Sequence, residues 1–262
     1  MQSAALHQEL ADELWEADRT AQPVAPLTDR HPDLVIDDAY AIQTINIDRR
    51  TGAGQRIVGR KVGLTSRPMQ EMLGVDEPDF GVLTDEMIVE DGDLIPLSRL
   101  VQPRVEAELA FVLAGDLAGP GVTTEDALGA IGGVLPALEV VDSRVAQWRS
   151  RIADTVADNA GAARVVLGSA TPVAGLDLRL LGVLLSRNGT PIDSGAGAAA
   201  LGHPAAALGW LANTLAGFGE GLRRGDVVLA GALTRMVPAR PGDRFSAEFA
   251  HLGTVSVRFG AL

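Results

Sequence analysis

After residue 80 the sequence breaks into short apolar or alternating runs, each closed by Gly, Pro, Asp or Asn, and few architectures accept that texture. The runs are GDLIPL, VEAELAFVLA, VLPALEVVDS, LGVLLSRNGTPI, GDVVLAGAL, DRFSAEF and TVSVRF. Runs of this length between turn residues read as β-strands. Asn188-Gly189 joins two of them, and a type I′ hairpin turn needs positive φ at both central positions, which these residue types tolerate. Two segments interrupt the strands as helices, TTEDALGAIG and HPAAALGWLANTLAGFG, the second with Pro204 in its first turn and Gly217 or Gly219 at its end. The regular strand–helix alternation of a parallel barrel is missing.

The first part of the chain has a different period. Leu6, Leu10 and Leu14 recur every four residues, so residues 4 to 19 read as an amphipathic helix with Ser3 as its cap. IDDAYAIQTINIDRRTG reads as a second helix, opened by Asp37 and stopped near Gly52. RIVGRKVGLT reads as a strand pair, and SRPMQEMLG as a short helix between Ser66 and Gly74. The expectation is an α+β protein, with a helical N-terminal portion over residues 1–75 and a β-rich catalytic domain over 76–262 built as a mixed β-sheet roll or sandwich.

Composition narrows the function. With 22 Lys plus Arg against 34 Asp plus Glu the net charge is −12, and no stretch combines base with aromatic residues, so a nucleic-acid partner is not expected. No cysteine is present, which removes disulfides, thiolate nucleophiles and thiolate metal sites and fits a reducing cytoplasm. The first twenty residues carry acidic side chains and no apolar core of signal-peptide length, so a cytoplasmic location is expected. Ser194 to Gly219 contains no Asp, Glu, Lys or Arg, but its Gly, Pro, His and Asn content reads as a loop and a buried helix rather than a membrane span.

The anomaly is RVEAELAFVL. In a strand Glu106 and Glu108 project from one side with Ala110, while Val105, Ala107 and Leu109 project from the other. On a wet face such a pair means nothing. On a covered face each unpaired charge costs several kcal/mol and calls for arginine, protonation or a metal ion. The next run, GGVLPALEVVD, carries Glu139 among Val134, Leu135, Leu138, Val140 and Val141, a setting that argues for burial. Three converging carboxylates suit a hard cation such as Mg²⁺ or Mn²⁺. The rival is a buried ion pair with Arg104, Arg144 or Lys61.

Together VGRKVGLTSRPMQEMLGVDEPDFGVL, QPRVEAELAFVL, LPALEVVDSR, DTVADNA and RRGDVVLAGALTRMVPARPGDRF resemble the 2-keto-4-pentenoate hydratases of aromatic-ring degradation, within the fumarylacetoacetate hydrolase superfamily. The resemblance covers essentially the whole chain and implies the C-terminal sheet architecture of that superfamily. It implies Glu106, Glu108 and Glu139 as ligands of Mg²⁺ or Mn²⁺, and Lys61 and Asp79 as catalytic groups. The bland readings are a solvated strand charge for Lys61 and a turn residue after Pro78 for Asp79. Leu109, Asp158, Asn159 and Thr234 are implied to meet the substrate, although DTVADNA needs no function as turn chemistry. A serine often follows that motif in the hydratases; Gly161 and Ala162 stand here.

The substrate so implied is a small 2-hydroxy or 2-oxo dienoic acid, hydrated to 4-hydroxy-2-oxopentanoate, with Lys61 expected to have a lowered pKa near the cation. The alternatives are 4-oxalocrotonate decarboxylase, for which Arg235 could hold a second carboxylate, and 2-oxohept-4-ene-1,7-dioate hydratase. Acylpyruvate hydrolysis would need a histidine, with His31 the thin candidate, and a non-catalytic partner-binding subunit is the reading from another class. A homo-oligomer is expected from the resemblance, as is association with a pathway enzyme.

Overall fold

The computed structural model describes residues 2–67, 70–71 and 74–260. Helices α1 (Ala4–Thr20), α2 (Leu27–Arg30) and α3 (Ile36–Gly52) come first, followed by β1 (Ile57–Gly63), β2 (Asp79–Thr84), β3 (Ile88–Val89), β4 (Leu94–Ile95) and β5 (Arg104–Leu113). Then come α4 (Thr124–Ala130), β6 (Ile131–Val141), α5 (Ile152–Ala157), β7 (Ala162–Leu167), β8 (Gly182–Arg187), β9 (Thr190–Ala196) and α6 (Pro204–Gly217). The chain closes with β10 (Val227–Ala232), β11 (Val237–Pro238), β12 (Arg244–Phe249) and β13 (Gly253–Phe259).

One mixed sheet runs β2-β1-β10-β5-β6-β7-β3, with β11 pairing to the start of β5, and a second runs β4-β13-β12-β8-β9. The helical portion gives way to the large sheet at Ile57, ahead of residue 75, because β1 inserts between β2 and β10. RIVGRKVGLT is therefore one strand, not two; its antiparallel partner is β2. The expected helix SRPMQEMLG includes Pro68, Met69, Met72 and Leu73, which lie outside the described residues. GDLIPL yields only the two residues of β4, and DTVADNA is largely the helix α5 rather than a loop.

Local chemistry accounts for these elements. Ser3 caps α1 by accepting from the Leu6 N–H at 3.2 Å, and Leu10, Ala11, Leu14 and Ala17 form its buried face. In α3 the buried Gln43 amide donates to Phe80 O at 3.1 Å and Val156 O at 3.0 Å, tying the helix to β2 and α5. Asn188 and Gly189 take φ of 53° and 79°, as the hairpin between β8 and β9 requires. At Gly59 a Cβ would lie 1.8 Å from Val227 O, so the parallel approach of β1 to β10 depends on having no side chain there.

One face of the large sheet carries Val62, Val105, Ala107, Leu109 and Phe111 into the main core, shared with α1, α3, α6 and the second sheet. Full burial of Leu109 and Phe111 contributes roughly 1.5–3 kcal/mol each. Leu83, Ala110, Leu135, Ala137 and Leu229 form a smaller cluster that shares the strands of the opposite face. No helix among the described residues is long and apolar enough to cross a membrane; the uncharged stretch after Ser194 becomes the end of β9, a turn and α6.

Candidate metal centre and active site

Register brings the candidate functional side chains together. Glu106 on β5 pairs directly with Glu139 on β6, so these two point to the same face, and Glu108 follows two residues on. Ala110 pairs with Leu229 on β10, and Leu229 pairs with Lys61 on β1, which puts Lys61 on that face two strands away. Lys61 in turn pairs with Gly81 of β2, and Gly63 pairs with Asp79. Lysine and aspartate thus each sit opposite a glycine. A Cβ at Gly63 would lie 2.1 Å from Asp79 Oδ1, and one at Gly81 would lie 3.2 Å from Lys61 Cγ. The spacing Lys-x-Gly on one strand and Asp-x-Gly on the other is the sequence signal for this packing, and it can be read only once the two strands are known to pair.

Burial removes the bland readings. Glu106, Glu108 and Glu139 are 6%, 1% and 0% exposed, and Lys61 and Asp79 are buried with them. The three glutamates offer one oxygen each within 4.8 Å of one another. Two of the three cations that could have neutralised them are elsewhere: Arg104 stacks on Trp148 at 4.4 Å, and Arg144 pairs with Asp158. Lys61 Nζ lies 3.5 Å from Glu139 Oε2, and its hydrogen bond goes to Ala160 O at 3.1 Å. Glu108 Oε2 accepts from the Gly231 N–H at 2.9 Å. Both oxygens of Glu139 and both of Asp79 lack a partner of hydrogen-bond geometry; Lys61 and Glu108 approach the Glu139 carboxyl, and the N–H groups of Gly63 and Asp79 approach that of Asp79, without meeting it.

Four carboxylates around one ammonium cannot all remain charged in a dry site. Burial, followed by the neighbouring Glu139, pushes Glu106 up to about 8, and burial first raises Glu108, Glu139 and Asp79 as well. Burial opposes the charge on Lys61, but Glu139, Asp79, Glu106 and Glu108 together outweigh it and hold the ammonium above its ordinary range. The expected lowering of Lys61 is therefore corrected for the metal-free chain: the carboxylates surrounding it decide the sign. The orphaned oxygens of Glu139 and the all-oxygen donor set fit a hard divalent cation, which would replace protons as the neutralising charge.

This makes a stability prediction. Carboxyls whose folded pKa is raised bind more protons folded than unfolded, so metal-free stability falls as pH rises from about 4.5 towards about 8. At one fixed Mg²⁺ concentration, a hundredfold above the Kd that holds near pH 8, the ion contributes about 2.7 kcal/mol at that pH and less below it. For a chain of this size that raises Tm by roughly 5–10 °C, with the gain growing over the same pH window. Calorimetry with and without Mg²⁺ checks it; a gain independent of pH contradicts the proton–metal exchange.

The four residues implied to meet substrate are occupied otherwise. The Leu109 side chain points into the main core, opposite the glutamates, because odd and even residues of β5 take opposite faces. Thr234 Oγ1 accepts from the Ala107 N–H at 3.0 Å, just after the irregularity at Gly231 breaks the β10–β5 ladder. The Asp158 carboxylate accepts from the Arg144 N–H at 2.8 Å and from its guanidinium; burial still raises it to about 6. Asn159 bonds Val82 through both side-chain atoms. Sequence reasoning missed the Ala160 carbonyl and Tyr40. Tyr40 stacks on Phe80 at 4.5 Å and lines a cleft reaching Asp79 with Trp210 and Phe218.

The chain is similar to known proteins along most of its length. Residues 50–259 match the family described as fumarylacetoacetate (FAA) hydrolase C-terminal. A 2-keto-4-pentenoate hydratase of Paraburkholderia xenovorans (strain LB400) is 51% identical over 96% of this chain and 94% of its own. A 2-hydroxyhexa-2,4-dienoate hydratase of Comamonas testosteroni is 49% identical over 94% of each. The solved 4-oxalocrotonate decarboxylase from Pseudomonas putida G7, complexed with magnesium and adipate, superposes with a TM-score of 0.97 at 36% identity over 99% of both chains. With the family profile spanning most of its length and relatives this similar, the chain belongs to the fumarylacetoacetate hydrolase family.

Proposed function

We propose that the chain is a divalent-metal-dependent hydratase that converts 2-hydroxypenta-2,4-dienoate and water into 4-hydroxy-2-oxopentanoate. The observation that carries this reading is a buried triad of carboxylates with Lys61 and Asp79 on the same sheet face, in a chain half identical to hydratases of such dienoates. Glu106, Glu108 and Glu139 would hold Mg²⁺ or Mn²⁺, which when bound supplies Lewis acidity to the carboxylate and C2 oxygen of an α-keto acid.

The proton accounting defines what the side chains must do. The 2-hydroxyl proton leaves and one proton reaches C5; water then gives its hydroxyl to C4 and its other proton to C3. Lys61, held as an ammonium by its neighbours, stabilises negative charge that develops on the substrate oxygens and can return a proton. Asp79 is the carboxyl outside the triad, buried and without hydrogen-bond partners, and it is the group available to exchange protons at C3 and C5.

A single-acid substrate fits better than a diacid. Arg235, the candidate for a second carboxylate, is a surface residue whose guanidinium pairs with Asp193 at 3.1 Å. The cleft beside Asp79 is lined by Tyr40, Trp210 and Phe218 and by the acids Asp37 and Glu77, with no Lys, Arg or His among its described lining residues. A distal carboxylate entering it meets like charge. The purified chain with Mg²⁺ is expected to prefer 2-hydroxypenta-2,4-dienoate over the enol of 4-oxalocrotonate by at least about 10-fold in kcat/KM, equivalent to ~1.4 kcal/mol. Mass analysis of the products should show gain of one water. Loss of CO₂ from the diacid at an equal or higher rate would favour the decarboxylase instead. Self-association belongs to the same reading, by family resemblance, and light scattering that returned the mass of a single chain would remove it.

A further inference from the structure

We propose that the Asp158–Ala160 turn is a positioning device for the Lys61 ammonium and that Asn159 is the residue that sets it. The inference rests on the reading of Lys61 as a catalytic group. Asn159 and Ala160 are consecutive non-glycine residues in the left-handed region, with φ of 53° and 51°, and Gly161 continues at 70°. L-residues avoid that region, and two in succession persist only where surrounding contacts over-determine the backbone. Here the contacts converge from two sides of the turn.

On one side, Asn159 Oδ1 accepts from the Val82 N–H at 2.8 Å and Asn159 Nδ2 donates to Val82 O at 2.9 Å, a two-point clamp onto β2. Val82 follows Gly81, the cross-strand partner of Lys61. The clamp brings the Asn159 carbonyl so close to β2 that a Cβ at Gly81 would sit 2.5 Å from it. On the other side, Arg144 Nη2 donates to Asp158 O at 2.7 Å while the Arg144 N–H donates to the Asp158 carboxylate at 2.8 Å. The Gly161 N–H closes the turn onto Asp158 O at 3.0 Å.

The product of this clamping is one carbonyl. Ala160 O accepts from Lys61 Nζ at 3.1 Å, a neutral acceptor placed beside an ammonium otherwise surrounded by carboxylates. Without a fixed neutral acceptor the ammonium settles onto Glu139 and leaves the position from which it meets substrate. Oδ1 and Nδ2 of Asn159 both bond Val82 on β2, and its effect on the reaction therefore runs through the position of Lys61.

The test compares Asn159→Ala in two backgrounds, reading kcat, KM and the Kd for Mn²⁺. In the otherwise wild-type chain Asn159→Ala should lower kcat by roughly 10- to 100-fold, the scale of an ångström-sized misplacement of a reacting group. KM and the Mn²⁺ Kd should stay within about 3-fold of wild type, and in the Lys61→Ala background the same substitution should change kcat by less than about 3-fold, as for two residues acting as one unit. Equal losses in both backgrounds, or a parallel loss of Mn²⁺ binding, overturn the proposal. Should Asn159→Ala fail to fold, Asn159→Asp keeps the acceptor for the Val82 N–H and should give an intermediate kcat with the same background dependence; the same loss in both backgrounds again overturns it. Wild-type kcat in Lys61→Ala alone would remove the lysine from the chemistry, a failure of the functional reading visible before Asn159 is altered.

Discussion

Replacing Glu139 by Gln is expected to weaken Mn²⁺ binding by at least roughly 100-fold, beyond the 10- to 100-fold typical of losing a partner outside the metal's own ligands, and to remove turnover with it. The charge of Glu139 is wholly buried, and neither oxygen has a hydrogen-bond partner. A carboxylate so placed in an apolar strand destabilises the fold unless something neutralises it. The expected companion result is therefore that the metal-free variant unfolds at the same temperature as the metal-free wild type or a higher one. If Glu139 were instead a structural partner of Lys61 at 3.5 Å, removing it would cost on the order of 3–5 kcal/mol and lower Tm by several degrees. Scanning calorimetry beside a Mn²⁺ titration separates the two cases, because one predicts lost binding with retained stability and the other lost stability.

Lys61→Ala should act in the opposite sense on the metal. Removing a positive charge beside Glu139 leaves Mn²⁺ affinity unchanged or tighter, while kcat falls by roughly 10²- to 10⁴-fold, the usual worth of a positioned proton donor or acceptor. Steady-state kinetics at saturating Mn²⁺ measures this directly. A variant that lost metal and turnover together would show that Lys61 supports the triad and does not take part in the reaction.

The carboxylate cluster was legible in the sequence because charge in an apolar strand run is costly, and period-two geometry alone places Glu106 and Glu108 on one face. Glu139 needed one further step, its isolation among Val and Leu residues; the direct pairing with Glu106 then followed from how β5 and β6 align. Lys61 and Asp79 were legible only through the family resemblance, since a lysine in a strand and an aspartate after proline have ordinary explanations. What places them, the reciprocal glycines at 63 and 81, depends on the antiparallel pairing of β1 with β2, which neither strand announces in its own sequence. The intramolecular roles of Asp158, Asn159 and Thr234 were hidden for a related reason. Their partners lie far along the chain, at Arg144, Val82 and Ala107, and local turn chemistry cannot reveal that a side chain is already engaged. Helix α1 followed from local signals, the Ser3 cap and the four-residue leucine period; α3 was legible as an element, but it opens at Ile36, with Asp38 rather than Asp37 accepting from the Val35 N–H.

The central claim is that Glu106, Glu108 and Glu139 grip one divalent ion on which turnover depends. Its most direct test is a titration of the metal-free chain with Mn²⁺, following the free ion by electron paramagnetic resonance, in wild type and in the variant with all three glutamates changed to Gln. One saturable ion per chain in wild type and none in the variant is the predicted result. Equal binding by both chains, or no saturable binding by wild type while it still turns over substrate, would contradict it.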